Sequence, residues 1–145
     1  MSRILFVGTH DRFRSKFASL YFNSLCEQKN LRTRSFSVGF DISLDKRKIK
    51  NSNLALDYLG YLGLLIEEDD MRPNQLTQAH LDACDKIICM NMEEHLTMMR
   101  KVFPEQVKNC IYWHFADEFS KPPLSTLPLI QKEVDHLLAG IEVMA

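Results

Sequence analysis

Eight consecutive residues, Gly8, Thr9, His10, Asp11, Arg12, Phe13, Arg14 and Ser15, hold most of the groups in this chain that could do chemistry together. They follow the apolar run Ile4-Leu5-Phe6-Val7 and precede a helical pattern, so they read as a tight polar loop between a strand and a helix. Amides in such a loop, with the open first turn of the helix, converge on one spot and form a concave anion site. Arg14 is placed to close it, and its planar fork suits two oxygens of one phosphoryl group. Between Arg3 and Lys16 four basic residues, Arg3, Arg12, Arg14 and Lys16, face Asp11 alone, while His10 and Arg12 either widen a positive rim or stand exposed. No residue from Gly8 to Ser15 is a cysteine. Thr9, His10 and Ser15 are conceivable nucleophiles, but a hydroxyl needs a partner base and the sequence fixes none nearby.

Other candidates are weaker. Tyr112 and Trp113 could wall a pocket at a strand end, though core packing is the commoner use of such rings. Cys84 and Cys89 could be a redox pair, but a buried strand position for Cys89 argues against it. With Cys26 and Cys110 they show neither paired CxxC spacing nor the density of a disulfide scaffold, so all four read as reduced and mostly buried. The five histidines are scattered, and no metal or other cofactor is expected.

The elements that must position the loop follow from periodicity. Phe17, Leu20, Tyr21 and Leu25 draw one face of a helix running to about Gln28, with Ser15 as its N-cap. Residues 32–38 alternate as a half-buried strand ending at Gly39. From Phe40 to Lys50 no apolar period survives, which predicts a solvated loop before a helix starting at Ser52 or Asn53. The acidic run Glu67-Glu68-Asp69-Asp70 marks another loop, and Thr77 caps a short helix reaching Leu81. Lys86 to Met90 reads as a buried strand; Asn91 and Glu94 then resemble a capping box opening a helix to Val102. Cys110 to Trp113 is the last strand. After a loop from Ala116 to Ser125, Ile130, Val134, Leu137, Leu138 and Ile141 face one side of a final helix.

At 145 residues and 46% hydrophobic content, residues 1–145 are expected to form one domain with one core. Strands alternating with helices predict a three-layer α/β/α fold with a four-stranded parallel sheet, its ligands at the carboxyl edge where the first loop lies. A net charge of -1 gives no reason to expect nucleic acid or an anionic membrane as partner. No apolar run approaches the roughly 20 residues needed to span a bilayer, so a cytoplasmic protein is expected.

The chain resembles the low-molecular-weight protein tyrosine phosphatases, which share a fold with thioredoxin-coupled arsenate reductases. The likeness extends over nearly the whole chain and implies the phosphotyrosine protein phosphatase I-like fold. That family's signature is Cys, five residues, Arg and Ser/Thr after a strand; here Arg14 and Ser15 are in register. Ser37-Val38-Gly39 corresponds to its Ser-Ala-Gly, Cys84 to Met90 to its Ala-Asp-x-Ile-x-x-Met strand, and Trp113 to Glu118 to its late acidic loop. The resemblance implies that Gly8 occupies the nucleophile position, Arg14 binds phosphoryl oxygens and Asp117 is the position of the general acid.

Three departures decide the functional expectation. Gly8 stands where the cysteine belongs, Asp11 replaces the loop Asn, and Glu118 replaces the Pro that often follows the acid. Removing the nucleophile from an enzyme with a covalent intermediate has cost about 10⁶-fold in a serine protease. The expectation is therefore a catalytically inactive homologue that binds phosphate, sulfate or a phosphorylated protein side chain at Gly8 to Ser15, where Asp11 either repels the anion or substitutes structurally for the Asn. The alternatives are an active phosphatase, through an unorthodox nucleophile or with Gly8 an engineered change, and an interaction scaffold with a vestigial pocket.

Overall fold

A computed structural model describes residues 2–43, 46–116 and 123–144. The apolar run Ile4 to Val7 forms strand β1 (Arg3–Gly8), the centre of a four-stranded parallel sheet. Its neighbours are β2 (Arg34–Gly39) on one side and β3 (Lys86–Cys89) on the other, and β4 (Cys110–Tyr112) completes the order β2-β1-β3-β4. Gly8 pairs with Gly39, which brings the ends of β1 and β2 level at the carboxyl edge.

Alternation along β1 divides the core. Ile4 and Phe6 face helices α1 (Arg14–Gln28), α2 (Lys46–Tyr61) and α5 (Pro123–Met144), packing with Phe17, Phe22, Leu59, Leu127 and Ile130. Leu5 and Val7 point the other way, towards Leu81 of α3 (Gln78–Ala83) and Met99 of α4 (Met92–Val102). The result is the expected three-layer arrangement. Burial of the four side chains from Ile4 to Val7 is worth on the order of 1.5–3 kcal/mol each, which explains why this run takes the middle of the sheet. Trp113 also belongs to the core, with its ring 5.7 Å from Phe6 and 5.8 Å from Phe115, and the Tyr112 hydroxyl donates to Val107 O.

Four local readings change. Helix α2 begins at Lys46, inside the segment predicted as a solvated loop, because a helical turn rich in charged residues leaves no apolar period to read. The acidic run contributes to a 3₁₀ turn, Glu68–Met71, and α5 begins at Pro123, where a proline suits a first helical turn. Thr77 does sit at the cap of α3, its hydroxyl 2.9 Å from His80 Nδ1. Ser15 is not a cap: α1 starts at Arg14, Phe13 holds the cap position, and the Ser15 hydroxyl is used elsewhere. Among the described residues, no helix is long and apolar enough to cross a membrane, and no group of three or more His, Cys, Asp or Glu side chains is arranged to hold a metal.

Candidate functional site

The loop from Gly8 to Ser15 leaves the carboxyl end of β1 and is held from outside. Phe40 and Asp41, just past β2, donate their amides to Gly8 O and Thr9 O at 3.2 and 2.8 Å. His10 Nδ1 lies 2.7 Å from Asp41 O, and Arg12 Nη2 donates to Ile42 O, so both rim residues strap the loop to residues 40–43. Gly39 is required for this approach. A Cβ there would lie 2.8 Å from three loop backbone atoms, Asp11 N, His10 C and Thr9 O.

Inside the loop, Asp11 adopts the left-handed conformation at φ 54°, which Asn and Asp tolerate better than most residues. It is 2% exposed, and both of its carboxylate oxygens are held by protein groups. Its Oδ1 accepts from the Ser15 hydroxyl at 2.8 Å and its Oδ2 from Asn74 N at 2.8 Å, with Lys16 Nζ at 3.2 Å. Burial pushes the Asp11 carboxyl above its ordinary pKa, a rise that Lys16 and the amide of Asn74 only partly offset. Asp11 thus takes a structural part in the loop, although its partners are Ser15, Lys16 and the amide of Asn74. Among the described residues, none accepts a hydrogen bond from the backbone amides of residues 10 to 15.

Arg14 is 5% exposed and its guanidinium is engaged. Nη1 donates to Glu94 Oε1 at 3.0 Å and to Phe115 O at 2.8 Å, while Nη2 donates to Glu94 Oε2 at 2.8 Å. This is a two-point pair across 80 residues of sequence. Thr9 Oγ1 also donates to Glu94 Oε2. His95 is fully buried, and because its Nδ1 accepts from Asn91 N at 3.0 Å, we assign the ring proton to Nε2. Nε2 lies 3.0 Å from Thr9 Oγ1 and 3.2 Å from Glu94 Oε2. Burial alone would push the Glu94 carboxyl up. The hydrogen bonds of His95, Arg14 and Thr9 and the charge of Arg14 outweigh it and hold the carboxyl well below the carboxylate range. The predicted capping box is therefore absent: the Asn91 side chain makes no cap bond, its Nδ2 reaches Glu94 Oε1 only at 3.4 Å, and His95 takes the Asn91 amide.

Gly8 is buried, and a Cβ added to it would meet Ser15 Oγ at 2.8 Å and Ser15 Cβ at 3.2 Å. The Ser15 hydroxyl, turned towards Asp11, occupies the space that a side chain at position 8 would enter. Thr9 does have the neighbours a hydroxyl nucleophile needs, which its sequence context did not indicate. Neither is a good base: Glu94 is held far too acidic, and His95 presents its N–H to Thr9. Asp117 and Glu118 lie outside the described residues. Beside the loop, Arg12, Asn53, Glu68, Asp69 and Arg72 line an open recess of about 410 Å³. Gly39, Lys16, Asn74, Glu94 and His95 complete the arrangement; of these Gly39, Lys16 and Glu94 stand out in the sequence for other reasons, and Asn74 and His95 do not.

Solved structures with the same layout cover nearly the whole chain. The YwlE arginine phosphatase from Geobacillus stearothermophilus is 22% identical, aligned over 99% of this chain and 95% of its own, with a TM-score of 0.79. The fold is that of the low-molecular-weight protein tyrosine phosphatases. A member from T. tengcongensis superposes with a TM-score of 0.74 at 17% identity, covering 97% of this chain and 99% of the other. Another, VcLMWPTP-2 of Vibrio cholerae O395, gives 0.76 at 19% identity over 98% and 97%. No protein-family model matches the sequence, and no curated protein matches it. The likeness to this phosphatase fold therefore rests on backbone geometry, with the loop at the carboxyl edge of β1.

Proposed function

We propose that this protein works by binding and does not turn substrate over: residues 1–145 form one phosphatase-like domain whose loop, Gly8 to Ser15, holds phosphate, sulfate or a phosphorylated protein side chain. The observation that carries this reading is Gly8 itself, buried at the strand end with the Ser15 hydroxyl packed over it, in a loop from Gly8 to Ser15 that contains no cysteine. The groups that recognise an anion remain: Arg14, the amides of residues 10 to 15, and the N-terminus of a 15-residue helix. Asp11 is paired with Lys16, which offsets the charge its carboxylate would set against a ligand. Asp117 has no phosphoenzyme to hydrolyse, and its role as acid lapses with the nucleophile. A cytoplasmic location is part of the same proposal.

The test is an aryl phosphate assay beside a thermal titration with phosphate and phosphotyrosine, on the protein and on Arg14→Ala. Saturable stabilisation that Arg14→Ala loses, without turnover, is the expected result. Turnover abolished by Arg14→Ala would overturn it. A second reading, turnover through Thr9, is favoured only by the contacts of its hydroxyl with Glu94 and His95; Thr9→Val would then abolish the activity. Neither stabilisation nor turnover would leave an interaction scaffold.

A further inference from the structure

Arg14 already holds an anion, and it belongs to the protein. Both oxygens of Glu94 are used: Oε1 accepts from Arg14 Nη1, and Oε2 accepts from Arg14 Nη2 and Thr9 Oγ1, with His95 Nε2 3.2 Å away. A planar carboxylate gripped by a guanidinium fork is a fair copy of one edge of a phosphoryl group. Resting on the anion-binding reading above, we propose that Glu94 determines the specificity of the loop: its carboxylate is a resident ligand that excludes monoanions and yields to a phosphoryl dianion.

Two physical arguments favour that selectivity. Glu94 is tethered, so an external carboxylate or other monoanion offers Arg14 the same charge against an intramolecular competitor whose effective concentration is on the order of millimolar or more. Such a ligand gains nothing that Glu94 lacks. A phosphoryl dianion brings twice the charge and a tetrahedral set of oxygens. It can occupy Arg14 and also the amides of residues 10 to 15, to which Glu94 makes no hydrogen bond. Glu94 can also leave without unfolding its helix. It stands in the first turn of α4, its side chain is 18% exposed against 5% for Arg14, and rotation about its own bonds carries the carboxylate outward. The ligand must break the resident pair first, so the intrinsic affinity is multiplied by the small fraction of molecules in which that pair is open.

Isothermal titration of inorganic phosphate, phenyl phosphate and acetate into the protein, Glu94→Gln and Glu94→Ala tests this. The wild-type protein should bind both phosphates weakly and acetate undetectably. The variants should bind phosphate at least ~10-fold more tightly, and Glu94→Ala should now accept acetate in the vacated place. Equal phosphate affinity in wild type and both variants would overturn the proposal for Glu94 and leave the binding function standing. No phosphate binding by any of them would overturn the binding function itself, and this proposal with it. Should Glu94→Ala fail to fold, Glu94→Gln and the guanidinium NMR signals of Arg14 in wild type decide. Phosphate saturation should shift those signals as the Glu94 contact is exchanged, and saturation without a shift would refute the displacement.

Discussion

Asp11 and Lys16 form an ion pair across the start of α1 that solvent barely touches, with Oδ2 and Nζ 3.2 Å apart and side chains 0% and 4% exposed. Lys16 Nζ also donates to Arg72 O at 2.8 Å, which ties the pair to the wall of the neighbouring recess. Removing one member strands the other's charge and costs about 3–5 kcal/mol. Lys16→Met should show this in urea unfolding, and Asp11→Asn/Lys16→Met should lose less than the two single losses added together.

The same pair has a pH signature. Burial raises the Asp11 pKa in the folded state, so the carboxyl contributes stability that is fully present below its unfolded pKa and lost as pH rises through the folded one. Without Lys16 the rise should be larger. Lys16→Met should therefore recover part of its lost stability, relative to wild type, as pH falls from neutral towards the unfolded carboxyl value of about 3.9.

Glu94 acts with the opposite sign. Its folded pKa is depressed, so its stabilisation is present above the unfolded value of about 4.3 and lost as pH falls towards the folded one. Wild type and Glu94→Gln should diverge in stability at neutral pH and converge below about pH 4. Denaturant midpoints measured from pH 7 to pH 3 would show the two curves closing; parallel curves would mean that Glu94 is not ionically held.

Gly39→Ala should displace the loop, since the new methyl group meets backbone atoms of Thr9, His10 and Asp11 with no flexible side chain to yield. Overpacking of this kind costs about 1–3 kcal/mol. Amide NMR shifts confined to residues 8–16 and 37–42, with a lower melting temperature, would register it.

Placing a thiol at position 8 tests the binding-only proposal from the opposite side. Gly8→Cys must push the Ser15 hydroxyl off Asp11 and still contend with Glu94 on Arg14. Gly8→Cys/Glu94→Gln should hydrolyse an aryl phosphate at least ~10-fold faster than Gly8→Cys, in line with removing a competitor from the binding-competent state. Equal rates would show that Glu94 does not limit access.

The sequence was legible where structure is local. The Ile4 to Val7 run, the face of α1 and the order of alternating elements lead directly to the parallel sheet, because burial and period suffice to define them. Lys46 to Lys50 was misread since a charged turn of helix carries no apolar period. Asn91 and Glu94 have the spacing of a capping box, yet Glu94 serves Arg14, far away in the chain. Ser15 likewise has the type of a cap and the position of a loop brace. What decides these side chains is a partner brought by topology, and no spacing rule encodes it.

The place of β1 in the sheet has a consequence for motion. Ile4 to Val7 are fully buried and β1 is bonded to a strand on each side, so the segment that launches the loop cannot open without opening the sheet. Hydrogen exchange at Leu5, Phe6 and Val7 should run only through unfolding of the whole molecule. Occupancy of the loop then becomes measurable in the middle of the core, as slower exchange there by the factor that the ligand adds to global stability.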